Sequence, residues 1–217
     1  MTYLVTRFST IGNVAMMVPV LSSLSQLYPE HRFVVVSKKD LHEMFYGLEN
    51  VQFHVAKPSY GLHGIFQLYR ELQAYHIDAV IDLHDVLRSK LLRLLFRIHH
   101  VPVYVIDYGR KVKRLITWRG YQNEVLPTEF ERYQHTFMEA GLVSEDTFTA
   151  MPVNEVYQQQ IRKRFGAHTT YRVGIAPFAK SNSNILPYRM ANITNSISIY
   201  INIISFYVSN YFSFFFT

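Results

Sequence analysis

Cysteine is absent from the 217 residues, which excludes a disulfide framework and any thiolate metal site and fits a reducing compartment. Glycine is scarce at the start, Gly12 being the only one before Gly47. A single glycine cannot supply G-x-G-x-x-G, so the first turn carries no dinucleotide fingerprint. The 10 histidines come without H-E-x-x-H or comparable spacing, so no metal is expected, and His99-His100 reads as the end of a helix. The N-terminus lacks a basic n-region, and the apolar run Tyr3 to Phe8 is too short for a signal h-region, which predicts a cytoplasmic start. No charged residue follows Arg189.

What is present begins with a strand, a small polar loop and a helix. Tyr3 to Phe8 is a β-rich run, Ser9 to Asn13 is the loop, and Val14, Met17, Val18, Leu21, Leu24 and Leu27 then fall at helical spacing. This helix over 14–28 accommodates Pro19 with a kink. Ligands of such βα units sit at the carboxyl end of the strand, over the helix N-terminus, so the loop is the first candidate site. Further strands are expected at His31–Ser37, Val51–Ala56, Asp78–Leu83 and Val101–Ile106. Helices are expected from Asp40 as cap to Tyr46, over Ile65–Tyr75, from His84 to His99, and over Thr128–Ala140 and Val153–Phe165. Leu87, Leu91, Leu94, Leu95 and Ile98 form the expected core face of the helix that ends at His99. The alternation predicts an α/β, doubly wound parallel Rossmann-like sheet. A sixth strand, Tyr171–Ala176, should begin a second domain.

Charge is concentrated in one place. Residues 84–119 hold nine Lys and Arg against two Asp, whereas the whole chain is only +6. Such a patch points to an anionic partner. Arg88, Lys90, Arg110 and Lys111 are its candidates for gripping phosphate or carboxylate, the alternative being a solvated helix face and loop.

Several segments, RFSTIGNVAMMVPVLSSL, IDLHDVLRSKLLRLLFRI, VPVYVIDYGRKVKRLIT, TEFERYQHTFMEAGL and VGIAPFAK, resemble the family 9 glycosyltransferases, the ADP-heptose:lipopolysaccharide heptosyltransferases. The resemblance covers roughly residues 1–190. It implies the GT-B architecture of two Rossmann-like domains, with a metal-independent, inverting transfer of heptose and no cofactor. The donor would be a nucleotide sugar, ADP-heptose, and the acceptor an anionic lipopolysaccharide core at the inner membrane surface, with no nucleic-acid partner. The expected location is cytoplasmic, peripheral at the inner membrane. Domains are expected as residues 1–150 for acceptor binding, 151–190 as helical connector and start of the donor domain, and 191–217 as an aberrant apolar tail. The chain would thus be truncated after its acceptor domain.

The resemblance puts Asn13 where the family has the aspartate thought to act as general base. An amide cannot take a proton, so catalysis should be impaired, although Asn13 can orient a hydroxyl or simply cap the helix. Ser9, Thr10 and Gly12 would touch acceptor or diphosphate, or else make an ordinary turn. His84 and Asp85, at the end of the fourth strand, would hold the acceptor, with Asp85 as helix cap the alternative. Pro177 and Lys180 follow the sixth strand, where the family binds the donor diphosphate. The tail is expected to be out-of-frame sequence, with a membrane anchor or a strand pair as alternatives. Two other functions compete with the enzyme: a non-catalytic domain binding an anionic glycolipid, and a tail-anchored membrane protein.

Overall fold

A computed structural model of the chain describes residues 1–8, 10–57, 62–109, 126–145 and 154–165. It divides into two compact units, Met1–Asn154 and Glu155–Thr217. In the second unit the described element is one helix, α6 (Glu155–Phe165). The expected sixth strand and the tail lie outside the described residues.

The first unit is built on five parallel strands in the order β3-β2-β1-β4-β5. They are β1 (Thr2–Thr6), β2 (Arg32–Ser37), β3 (Val51–Val55), β4 (Ala79–Asp82) and β5 (Val103–Val105). β1 occupies the centre, with Thr6 in register with Val36 on one side and Asp82 on the other. Its neighbours read as near-continuous apolar runs because parallel strands are covered on both faces. Successive side chains then feed two separate cores. Tyr3, Val5, Phe33, Val35 and Ile81 pack with Val14, Leu21 and Leu24 on one face. Leu4, Val34, Val36 and Val80 pack with Ile65, Leu68, Leu72, Leu92 and Phe96 on the other. The first face carries α1 (Ile11–Ala15), α2 (Val18–Leu27) and α5 (Glu129–Glu139), and the second carries α3 (Leu62–Gln73) and α4 (Leu87–Ile98).

Four expectations change. The continuous helix over 14–28 is two helices, and helicity starts earlier, at Ile11. Pro19 sits in the first turn of α2, where its missing N–H costs nothing, so it begins a helix rather than kinking one. The segment after Asp40 is a 3-10 helix, Lys39–Phe45, with Lys38 rather than Asp40 at its cap position. The core face of α4 also differs in part. Of the expected residues Leu91 and Leu95 pack against the core, but Ser89, Leu92 and Phe96 are the buried ones, and Leu87, Leu94 and Ile98 are 52–65% exposed.

Helix α5 matches the expected element closely. Thr128 Oγ1 accepts from the Glu131 N–H at 3.2 Å, and the Glu131 carboxylate accepts in return from the Thr128 N–H at 2.6 Å. Those bonds hold the Glu131 carboxyl below the usual carboxylate range. At the other end Gly141 has φ +82, the left-handed conformation that glycine adopts without penalty.

Candidate functional site at the carboxyl edge of the sheet

The turns after β1 and β4 leave the sheet side by side, because their strands are adjacent and parallel. The Phe8 and His84 rings lie 5.8 Å apart between them. This edge brings together Thr10, Gly12 and Asn13 from the first turn with His84, Asp85 and Arg88 from the second.

Asn13 is half-buried inside α1 rather than at its cap. Thr10 holds the cap position with φ −39° and ψ 151°, and its side chain makes no capping bond. Its carbonyl accepts from the N–H groups of Asn13 and Val14 at 3.1 and 3.2 Å. The polar loop is thus shorter than expected, since Ile11, Gly12 and Asn13 are already helical. Gly12 is exposed and has open space where a Cβ would stand, so no steric demand selects it.

Below this turn lies Arg7, 2% exposed. Its Nη1 donates to the Leu83 carbonyl at 2.5 Å and to the Tyr108 hydroxyl, and its Nη2 meets the Glu129 carboxylate at 3.0 Å. The guanidinium also lies 5.8 Å from the Tyr108 ring centre and 5.7 Å from that of Tyr133. The Tyr133 hydroxyl faces two acceptors, the Asn13 main-chain oxygen at 3.1 Å and Glu129 Oε1 at 3.0 Å. Burial, reinforced by Glu129 and only partly offset by Arg7, pushes the Tyr133 hydroxyl far above its ordinary pKa, so it remains a donor. Tyr108 is raised for the same leading reason, its burial. A buried guanidinium therefore supports the turn that carries Asn13.

A second polar cluster lies on the opposite face. Asp82 is fully buried and accepts through Oδ1 from the Thr6 hydroxyl at 3.0 Å and from the N–H groups of His84 and Asp85 at 3.0 and 3.1 Å. Its Oδ2 accepts from Arg93 at 2.9 Å. Arg93 also pairs with Asp85 at 3.0 Å, and Lys90 lies 3.7 Å from the same carboxylate. Asp85 adopts φ +47° and precedes the cap position, which Val86 holds. Ser89 Oγ, not Asp85, accepts from the Val86 N–H at 3.1 Å. Asp85 is thus an ion-pair partner instead of a helix cap.

His84 is half-buried, and its Nδ1 lies 3.4 Å from the Phe8 N–H. Burial first, then Arg7, lowers its pKa to about 4, with Asp82 opposing and Arg88 and Lys38 adding. The ring is neutral at neutral pH, and its Nδ1 accepts from Phe8, which leaves Nε2–H as the donor. Arg88 places its guanidinium 5.7 Å from the Phe8 ring centre, beside the same turn. Of the basic patch, Arg93 is committed to Asp82 and Asp85, so the charge available to a ligand is smaller than the sequence total. Ser9, Arg110, Lys111, Pro177 and Lys180 lie outside the described residues. Among the described residues no group of His, Asp and Glu could hold a metal ion, and no helix is long and apolar enough to cross a membrane.

Arg7, Asp82, Arg93, Tyr108, Glu129 and Tyr133 were not expected as site residues. The signal for the first two was present: a charged residue within or directly beside an apolar strand run, in YLVTRF and DAVIDL. Their partners lie too far along the chain for spacing to reveal them.

The edge just described belongs to an α/β Rossmann-like fold, which collects its ligand-binding turns at the carboxyl ends of the strands. Solved structures of similar fold include glycosyltransferases. A family 9 glycosyl transferase from Veillonella parvula superposes with a TM-score of 0.66 at 16% identity, over 90% of this chain and 59% of that one. E. coli heptosyltransferase WaaC with ADP gives 0.59 at 16%, over 93% and 67% of the two chains. E. coli ADP-heptose lps heptosyltransferase II gives 0.57 at 17%, over 90% and 61%. The chain therefore spans about three fifths to two thirds of these proteins' length. At such identities the likeness establishes the fold. No family model matches the sequence, and no curated protein does.

Proposed function

We propose that the chain is the acceptor-binding part of a heptosyltransferase-like glycosyltransferase. In this reading heptose passes from ADP-heptose to an anionic lipopolysaccharide core acceptor at the inner membrane surface, with inversion and without metal. The supporting observation is the parallel pairing of β1 and β4, which sets α1, the helix that holds Asn13, and the turn that holds His84 after adjacent strands at one sheet edge. The fold shared with family 9 proteins, one of them described with ADP, supports the same reading. Asn13 would orient the attacking hydroxyl through its amide oxygen. Thr10 and Gly12 would line the acceptor, His84 would donate from Nε2–H, and Arg88, Lys90, Arg110 and Lys111 would meet its phosphates. Asp85 would steady Lys90 and Arg93. Pro177 and Lys180 would meet the donor diphosphate. The residue at position 13 cannot remove a proton, so turnover should be low.

The amide at Asn13 also favours a second reading, a domain that binds the anionic glycolipid without turnover. Equilibrium binding of a lipopolysaccharide core fragment, followed by incubation with ADP-heptose and mass spectrometry of the acceptor, separates the two. Binding with slow mass gain supports the transferase, and binding with none supports the binding domain. Absence of acceptor binding sinks both.

A further inference from the structure

Helix α4 has two apolar faces. Ser89, Leu92 and Phe96 are buried against the sheet. At 100° per residue Leu87, Leu94 and Ile98 project from the opposite side, where nothing among the described residues covers them. Helix α3 packs beside α4, with Tyr69 edge-on to Phe96 at 4.9 Å and stacked on His99 at 5.8 Å. On its outer side Phe66 is 60% exposed, and Arg70, one turn further, is exposed as well.

The charge around this surface has one sign. α4 contains Arg88, Lys90, Arg93 and Arg97 and no carboxylate. Arg93 and Lys90 turn to Asp85, but among the described residues neither Arg70 nor Arg97 has a carboxylate within ion-pair distance. The result is a row of aliphatic and aromatic side chains beside uncompensated arginines, the composition of a helix that lies in a membrane interface. A two-fold pairing with a second copy would set these arginines against each other, so self-association is the poorer match.

We propose that the outer face of α3 and α4 docks the protein on an anionic lipid bilayer. Leu87, Leu94, Ile98 and Phe66 enter the boundary between headgroups and acyl chains. Arg70 and Arg97 meet lipid phosphates. The inference deepens the placement of the acceptor at a membrane and rests on it only for the choice of an anionic leaflet. Vesicle binding needs no sugar transfer, so the surface and the site can fail separately.

The test is co-sedimentation of the full chain with phosphatidylcholine vesicles prepared with and without phosphatidylglycerol. Binding should be stronger to the anionic vesicles and weaken with added salt. Leu87→Ser/Leu94→Ser/Ile98→Ser should reduce it by about tenfold or more. The melting temperature should hold, because the three side chains are exposed. Arg70→Glu/Arg97→Glu, which leaves the apolar row intact, should abolish the preference for anionic vesicles. Equal binding to both vesicle types, or undiminished binding of the triple variant, overturns the proposal. So does a wild-type dimer that the triple variant converts to monomer.

Discussion

The Tyr133 hydroxyl lies 3.1 Å from the main-chain oxygen of Asn13, 120 residues away in sequence. The first turn of the sheet is therefore held from below by a helix that enters the fold after all five strands. Its geometry depends on α5 as much as on its own residues.

Tyr133→Phe removes this bond and the one to Glu129 while keeping the ring. Stability should fall by about 1 kcal/mol, the usual net worth of a hydrogen bond, as read by urea denaturation. Acceptor affinity should fall too, because the Asn13 turn loses its anchor. Unchanged affinity at lowered stability would make Tyr133 a packing residue alone.

Arg7→Met leaves Glu129, Tyr108 and the Leu83 carbonyl without their shared donor. Breaking a buried pair from one side typically costs 3–5 kcal/mol; Glu129 is partly exposed, so about 3 kcal/mol is expected here. Adding Glu129→Gln should recover part of the loss, since the carboxylate, then left with only Arg132 at 3.6 Å and the Tyr133 hydroxyl, is gone. A double variant as unstable as the sum of the singles would show that the two groups act independently.

Acid should destabilise the protein through His84. Its folded pKa of about 4 lies below the ordinary 6.5, so between those values the unfolded chain binds a proton that the folded one refuses. Stability from this group is complete above pH 6.5 and declines as pH falls toward 4. His84→Gln should flatten that part of the profile, measured as urea midpoints across the window. Parallel profiles for the two proteins would contradict a neutral, buried ring.

Asn13→Asp supplies a carboxylate at the position from which an acceptor hydroxyl would lose its proton. Transfer from ADP-heptose should rise by about 10²–10⁴-fold, the ordinary range for a general base. Equal rates for the two proteins would place proton removal elsewhere.

Most of the sheet was legible because its strands are apolar runs bounded by turns, and runs of that kind suit strands covered on both faces. Residues at α4 misled for a physical reason: its exposed row, Leu87, Leu94 and Ile98, repeats at helical spacing as regularly as its buried one. Periodicity detects a stripe but cannot say which stripe meets the core. The alternative role of Asn13 as a helix cap rests on the preference of Asn for that position, whereas α1 begins two residues earlier, at Ile11, with Thr10 at the cap. The support beneath the site was the least legible part. Arg7 meets residues 76, 101 and 122 positions away, and no local pattern encodes such pairings.

That last separation has a consequence for synthesis. Arg7 leaves the ribosome 122 residues ahead of Glu129. At roughly 5–20 residues per second this is an interval of about 6–25 s. Throughout it the central strand carries a guanidinium whose carboxylate has not yet been made. The strand that templates the sheet can be sealed into its final surroundings only near the end of the unit's translation.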